Sequence, residues 1–172
     1  MDCERSSTRS VARLMESMAE EVNRVRKEKG LSVERLAQKV GMHRNTLFRI
    51  LNGQVDPRIT EMNRLYMSLE AQGVSLEQGR FRFLCIGGTP VQAMDIPPSE
   101  YMLQEMGRVI QERRIALRAS QETLAEWADL HRNTIGKIER GEMDMSLSTL
   151  FRIYTVLGIT KVFLQEGKLV LL

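Results

Sequence analysis

Ser120–Gly141 reads SQETLAEWADLHRNTIGKIERG and Ser32–Gly53 reads SVERLAQKVGMHRNTLFRILNG, so the sequence repeats one pattern at an offset of 88 residues. In this register, 14 of the 38 positions from Ser32 to Leu69 are identical in the second segment, and they include the tetrad His-Arg-Asn-Thr. A repeat at a fixed offset is the signature of a duplicated structural unit. We therefore interpret the chain as two copies of one unit, copy 1 at the N-terminal side and copy 2 at the C-terminal side.

Each copy carries apolar residues at the three- and four-residue spacing of amphipathic helices. The first helices have apolar stripes made of Leu14, Met18, Val22 and Val25 in copy 1 and of Met102, Met106, Val109 and Ile110 in copy 2. Second helices are predicted to begin at about Val33 and Gln121, third helices to cover about Arg44–Leu51 and Arg132–Glu139, and fourth helices to cover about Ile59–Ala71 and Leu147–Leu157. We expect Ser32, Ser120 and Ser146 to cap these helices, because a serine oxygen accepts hydrogen bonds from the free N–H groups of a first turn.

A very tight turn joins the second and third helices of each copy. Such a turn needs a residue that tolerates left-handed backbone, and copy 1 supplies Gly41 whereas copy 2 supplies Asp129. Six positions per copy must be apolar or small for the helices to cross closely, and all of them fit: Leu36, Ala37, Val40, Met42, Leu47 and Ile50, with Leu124, Ala125, Ala128, Leu130, Ile135 and Ile138. The alanine is the most restrictive position, since a larger side chain would push the helices apart. The pattern predicts a helix-turn-helix in each copy.

Burial of this apolar face leaves the opposite face of each third helix exposed. The exposed positions are Arg44, Asn45, Phe48 and Arg49 in copy 1 and Arg132, Asn133, Gly136 and Lys137 in copy 2. Arginine and asparagine are suited to reading guanine and adenine edges in the major groove. They stand at the helix N-terminus, the part of a recognition helix that reaches base edges. A merely solvated helix face is the alternative, and the retention of the same tetrad in both copies disfavours it. For Phe48, contact with thymine methyl groups and packing on a partner are both left open.

Short apolar runs after each fourth helix predict β-hairpins, with VSLEQGRFRFL (Val74–Leu84) aligned on VFLQEGKLVLL (Val162–Leu172). A lone hairpin is only marginally stable, so we expect the two hairpins to pair with each other or with those of a second chain. The glycine and proline pairs of GGTPVQAMDIPPSE (Gly87–Glu100) indicate a linker. The predicted organisation is a flexible N-terminal arm over 1–9, a first helix-turn-helix domain with its hairpin over 10–86, a linker over 87–98 and a second such domain over 99–172.

Composition permits DNA binding and disfavours several other functions. The net charge of +3 is a mild basic bias. Cys3 and Cys85 stand far apart, and no Cys/His group has metal-ligand spacing, so we expect no metal and no cofactor. No nucleophile–base pair or phosphate loop is visible, so we do not expect an enzyme. Neither a signal peptide nor an 18-residue apolar run is present, which favours a cytoplasmic, bacterial or phage nucleoid-associated location.

Copy 2 resembles the lambda-repressor/Cro-like (XRE) helix-turn-helix family over Met106–Ile159, through MGRVIQERR, SQETLAEWA, HRNTIGKIERG and SLSTLFRIYTVLGI. The resemblance implies a mainly α fold with two tandem lambda-repressor-like helix-turn-helix domains, no catalysis and binding to double-stranded operator DNA. It also implies that Gln121 grips phosphate or supports base contacts, and that Arg114 and Glu139 form a structural ion pair.

Copy 1 departs from the family pattern at two of these positions. Val33 replaces the glutamine, and Leu51 replaces the glutamate, which leaves Arg26 without that partner. We therefore expect copy 1 to bind DNA more weakly than copy 2, or mainly to position it.

The sequence as a whole predicts a transcriptional regulator, with a repressor favoured, that reads two related half-sites from one chain. The predicted DNA-binding residues are Arg44, Asn45, Thr46, Arg49, Gln121, Arg132, Asn133, Thr134 and Lys137. An antitoxin-type protein and a protein-interaction module, with DNA binding secondary or limited to copy 2, are the alternatives. A homodimer through the hairpins and an unidentified protein partner are also left open.

Overall fold

The computed structural model describes residues 2–71, 73–84, 99–165 and 168–171, and this part of the chain contains eight α-helices, one short 3-10 helix (Glu77–Gly79) and four strands. Copy 1 contains α1 (Asp2–Glu28), α2 (Val33–Val40), α3 (Arg44–Leu51), α4 (Ile59–Ser68), β1 (Gly73–Ser75) and β2 (Arg82–Leu84). Copy 2 contains α5 (Ser99–Ala116), α6 (Gln121–Trp127), α7 (Arg132–Glu139), α8 (Leu147–Leu157), β3 (Lys161–Gln165) and β4 (Lys168–Leu171). The predicted order of four helices and a hairpin in each copy is confirmed. None of the described helices is long and apolar enough to cross a membrane.

Most helix boundaries agree with the prediction because local chemistry sets them. The expected caps are present, and each accepts a hydrogen bond from a backbone N–H of the helix that follows: Ser32, Ser120 and Ser146. The exception is α4, which ends at Ser68 rather than at Ala71. The backbone of Glu70 is left-handed, with a φ of 59°, and a helix cannot continue through that conformation.

The N-terminal segment differs from its prediction. A flexible arm over residues 1–9 is wrong, because α1 begins at Asp2. Residues 2–10 contain neither glycine nor proline, so nothing in them interrupts the backbone hydrogen bonds of a helix that continues into the core stripe. The predicted linker over 87–98 lies outside the described residues. Residues 82–84, at the end of the predicted hairpin over Val74–Leu84, form β2, whereas residues 85 and 86 of the predicted first domain also lie outside the described residues.

The turns between α2 and α3 and between α6 and α7 contain the left-handed residues that the sequence predicts. Gly41 has a φ of 62° and Asp129 a φ of 52°. Each turn is also held from the fourth helix of its copy, because Arg64 donates to the Gly41 carbonyl at 3.4 Å and Arg152 donates to the Asp129 carbonyl at 2.9 Å. These equivalent arginines therefore anchor the turn that sets the angle between the two helices.

Replacement of Gly41 by alanine is expected to lower the free energy of unfolding by about 1 kcal/mol. No atom lies within 4 Å of a Cβ built at this position, so the cost comes from the left-handed backbone alone. Urea denaturation measures it. The matched control is Asp129→Gly, which relieves the same strain in copy 2 and should not lower stability. An equal loss in both variants would argue against the backbone explanation.

The two hairpins pair with each other in one antiparallel sheet of strand order β2-β1-β3-β4. At its centre β1 pairs with β3, in a register that sets Val74 opposite Val162. These two residues occupy equivalent positions in the two copies, so the centre of the sheet is a point of two-fold pseudosymmetry. One chain therefore provides the hairpin pairing that the sequence predicts.

Contacts at the start of α4 and α8 obey the same two-fold relation. The Asp144 carboxylate accepts from the N–H and the hydroxyl of Thr60, at 3.2 and 2.6 Å. The equivalent carboxylate of Asp56 accepts from the N–H and the hydroxyl of Ser148, at 3.0 and 2.5 Å. Each carboxylate caps the helix of the other copy, where the helix dipole favours negative charge. The copies thus meet through a reciprocal interface of the kind usually found between two identical subunits.

One continuous apolar core runs through both copies. It includes the inner faces of both helix-turn-helix units, where Leu47 and Ile50 of α3 and Ile135 and Ile138 of α7 have no exposed surface. A relative movement of the copies would expose apolar side chains to water, which is unfavourable. The shared core therefore couples the position of α3 to that of α7.

Candidate nucleic-acid interface

A histidine starts the third helix of each copy. The Nδ1 atom of His43 accepts a hydrogen bond from the N–H of Asn45, and the Nδ1 atom of His131 accepts one from the N–H of Asn133, both at 3.2 Å. The tetrad His-Arg-Asn-Thr thus combines a helix cap with the residues of the first turn. This geometry holds an arginine and an asparagine at the N-terminus of both α3 and α7.

The predicted base-reading residues lie on open surface. Six of the predicted DNA-binding residues are exposed: Arg44, Asn45, Arg49, Arg132, Asn133 and Lys137. Thr46 and Thr134 are half-buried beside them. The arrangement presents two guanidinium or ammonium groups and one amide per copy on the side of the helix away from the core, as entry into a major groove requires.

The C-terminal end of α7 carries a buried ion pair. Arg114 of α5 donates to both carboxylate oxygens of Glu139, at 2.6 and 2.9 Å, and to the carbonyl of Ala119 at 2.8 Å. The hydrogen bonds to Glu139 raise the pKa of Arg114, although burial acts in the opposite direction. The structure therefore contains the pair that the family resemblance implies, and this pair ties α7 to α5 with the two-pronged geometry of a strong charge-assisted contact.

Gln121, the first residue of α6, belongs to the same network. Its Nε2 atom donates to Glu139 at 2.8 Å. A side-chain amide has two N–H donors and an acceptor oxygen, so this half-buried residue keeps bonding capacity for a ligand. The open depression in front of Gln121 is completed by Arg132, Asn133, Gly136, Lys137 and Arg140. An anion in this depression would meet the cations of α7 and the amide of α6 together.

Gly136 is buried, contrary to the prediction that it lies on the exposed face. A Cβ at this position would lie 3.3 Å from Nη1 of Arg140 and 3.6 Å from Oε1 of Gln121. The missing side chain leaves room for the glutamine to reach α7. Copy 1 has Phe48 here, 54% exposed, and Val33 in place of the glutamine. Where copy 2 has Gly136 and Gln121, copy 1 therefore has two apolar side chains.

Copy 1 replaces the buried ion pair with neutral contacts. Arg26 donates to the Leu31 carbonyl at 2.6 Å and to Oδ1 of Asn23 at 3.2 Å, and Asn23 donates to the Leu51 carbonyl at 2.9 Å. The Nε atom of Arg26 is buried and has no hydrogen-bond partner among the described residues. Sequence reasoning missed Asn23, which links α1 to the end of α3. Its three-residue spacing from Arg26 on one helix was the available signal.

Comparison with known proteins agrees with this geometry. A family model described as helix-turn-helix matches residues 22–65 and 110–164, which together make up more than half of the chain. The chain belongs to this helix-turn-helix family. The two matched regions confirm the tandem arrangement. Membership in this family supports DNA binding and a role in transcription regulation. No protein with a curated description and no solved structure matched the chain.

The two reading faces of this helix-turn-helix protein differ in their internal ion pairs. The Nε atom of Arg44 lies 2.7 Å from a carboxylate oxygen of Glu34, with both side chains mostly exposed. The equivalent Arg132 forms no ion pair within the described part of the chain. Exposed ion pairs are weak, so Glu34 restrains Arg44 without blocking it. This difference is consistent with copy 2 as the stronger reader.

Proposed function

We propose that the protein is a sequence-specific transcriptional repressor whose single chain reads two related half-sites in inverted orientation. The observation that carries this proposal is the reciprocal interface, in which Asp56 and Asp144 cap each other's copy and Val74 faces Val162. An interface of that symmetry relates α3 to α7 as the recognition helices of a dimer are related. Dimers of this class bind half-sites about 34–36 Å apart, one turn of DNA. Repression then requires only that the bound chain cover promoter DNA.

The reading residues have different roles in this proposal. Arg132 and Asn133 read base edges from the first turn of α7, and Arg44 and Asn45 do the same from α3. Gln121, Lys137 and Arg49 contact the phosphate backbone, and Thr46 and Thr134 touch a thymine methyl group or a phosphate. Phosphate contacts position the protein, whereas base contacts specify the sequence.

Selection of bound sequences from random duplex DNA with the full chain tests this reading. We expect an approximately inverted pair of similar motifs, one helical turn apart, and footprinting that protects both. A single protected half-site, or two motifs in direct repeat, would contradict the two-half-site model. Affinity for both specific and random DNA should fall with added salt, because bound cations release counterions from the duplex.

Replacement of Arg132 by alanine is expected to weaken binding to the selected site by about 1–3 kcal/mol, with loss of discrimination at one base pair. The side chain is exposed and forms no ion pair among the described residues, so the substitution should leave stability unchanged. Titration of matched and single-base-substituted duplexes measures both the affinity and the discrimination.

Arg108→Ala is the matched control for that variant. Arg108 is also an exposed helical arginine, but it lies on α5 and pairs with Glu105 and Glu112. Its loss removes the same charge away from the reading face. Equal weakening by the two substitutions, on specific and random DNA alike, would reduce the role of Arg132 to general electrostatic attraction.

Gln121→Ala should instead weaken binding to all sequences.

A further inference from the structure

A cavity lies between the two copies, beneath the sheet. Its volume is about 100 Å³, and equivalent residues of the two copies form opposite walls, Ile59 with Leu147 and Met62 with Leu150. Val74 and Val162, the pair at the centre of the sheet, also line it. The cavity therefore lies close to the two-fold pseudosymmetry axis, where the copies meet.

Three polar side chains interrupt this apolar lining: Asn63, Tyr66 and Tyr154. Asn63 and Tyr154 both line the cavity and are 7% and 1% exposed. The Oδ1 atom of Asn63 and the hydroxyl of Tyr154 have no hydrogen-bond partner among the described residues. A buried polar group without a partner costs about 1–3 kcal/mol, so such groups are rare unless something else satisfies them. No charged side chain lines the cavity.

These features define the chemistry of an occupant. A charged ligand would lose its hydration without a counter-charge, so the occupant must be neutral. The apolar walls favour a ring or a branched hydrocarbon, and the unpartnered groups of Asn63 and Tyr154 require one hydroxyl or N–H group on it. Burial raises the pKa of the Tyr154 hydroxyl, which therefore keeps its proton and can donate as well as accept. A few water molecules are the competing occupant, because water needs two to four polar partners and three polar side chains line the cavity, although the rest of the lining is apolar.

We propose that this cavity binds a neutral aromatic molecule of about the size of phenol or indole, with its O–H or N–H group on Asn63 and Tyr154. The bound molecule wedges between α4 and α8. Because α4 packs on α2 and α8 packs on α6, occupancy changes the separation of the two reading helices. This second step, the effect of the ligand on DNA binding, rests on the proposed function. Ligand binding changes the affinity of the chain for a two-half-site operator, whereas the affinity of copy 2 for a single half-site stays the same.

Direct calorimetric titration of the full chain with phenol, indole and benzyl alcohol, with benzene for comparison, tests the site without DNA. We expect saturable binding of at least one of the three polar probes. Tyr154→Phe removes only a hydroxyl that has no hydrogen-bond partner among the described residues, so the fold should persist. It should weaken binding of the polar probe about three- to ten-fold, the effect of one net hydrogen bond. Binding of benzene should be unchanged.

Leu150→Phe fills the cavity from the α8 side and should abolish binding of every probe. Thermal denaturation of each variant without ligand shows whether it folds, and Tyr154→Phe keeps the test decisive should the filled variant not fold. Absence of saturable binding to the folded wild-type chain by all three polar probes would overturn the proposal. So would binding that neither substitution alters.

Operator titration with saturating probe separates the two proposals. A change in affinity for the two-half-site duplex alone supports the coupling, and equal affinity with and without probe overturns it. A chain that binds the probe but no DNA would refute the proposed function while leaving the ligand site standing.

Discussion

Glu139→Leu is expected to lower the free energy of unfolding by about 3–5 kcal/mol. The substitution gives copy 2 the residue that copy 1 carries at the equivalent position, Leu51. In copy 2, however, both oxygens of Glu139 hold the buried guanidinium of Arg114 at 2.6 and 2.9 Å. Removal of the carboxylate leaves a buried charge whose remaining hydrogen-bond partner among the described residues is the Ala119 carbonyl. Urea denaturation followed by circular dichroism measures the loss.

The chain itself provides two controls for this variant. Copy 1 tolerates leucine because Asn23 accepts from Arg26, and the equivalent residue of copy 2 is Gln111. Gln111→Asn added to Glu139→Leu should therefore recover part of the stability. Arg114→Met added to Glu139→Leu removes the orphaned charge and should recover more, since an apolar replacement of a whole buried pair is often neutral. Equal stability of all three variants would mean that the buried charge contributes nothing.

The same substitution also affects the reading face. Gln121 donates to Glu139, so the glutamine loses its fixed position when the carboxylate is removed. DNA affinity should fall for the single variant at temperatures where it remains folded. It should not recover with Arg114→Met, because that second change restores stability and not the acceptor for Gln121.

Gly107→Ala is expected to lower the free energy of unfolding by about 3 kcal/mol, at the upper end of the usual cost of overpacking. A Cβ at Gly107 would clash with the Ile138 carbonyl oxygen and would lie 2.7 Å from that of Glu139. Both contacts are with the backbone of α7, so no side-chain rotation can relieve them. The recognition helix must move away from α5, and the Arg114–Glu139 pair must lengthen with it.

Copy 1 provides the comparison for Gly107→Ala. Its equivalent residue is Ala19, 6% exposed, so α1 and α3 are packed with the methyl group in place. Ala19→Gly should cost about 1 kcal/mol, the difference in helix propensity. Thermal denaturation of the two variants measures this asymmetry. A loss of less than about 1 kcal/mol for Gly107→Ala would show that α7 adjusts freely, contrary to the close packing.

The expected losses of stability differ between the copies because the third helix is packed differently in each. In copy 2, glycine at 107 and 136 brings α7 close to α5 and α6, and a charged network fills the remaining space. In copy 1, Ala19 and Phe48 stand at the equivalent positions, and Arg26 makes neutral contacts instead. The copy with the polar network also has the predicted reading arginine, Arg132, that forms no ion pair among the described residues.

The sequence by itself determined the helices, the turns and most of the exposed face of each third helix. Serine caps, the left-handed Gly41 and Asp129 and the spacing of apolar residues act within one or two turns of chain, so their effect is visible in the order of residues. The repeat indicated the tandem organisation, because a pattern found twice in the same register is stronger evidence for a structural unit than a single occurrence. The predicted flexible arm over residues 1–9 differs from the structure, because the absence of helix-breaking residues lets α1 extend to Asp2.

Only the tertiary structure decided how the copies meet and what lies between them. Asp56 and Asp144 were visible as equivalent residues, but their partners Ser148 and Thr60 are distant in sequence and become neighbours only through the fold. The burial of Gly136, the link through Asn23 and the cavity at Asn63 and Tyr154 likewise depend on which elements pack together. Sequence periodicity fixes which face of a helix is apolar, whereas the depth and shape of the space it fills depend on residues from every element around it.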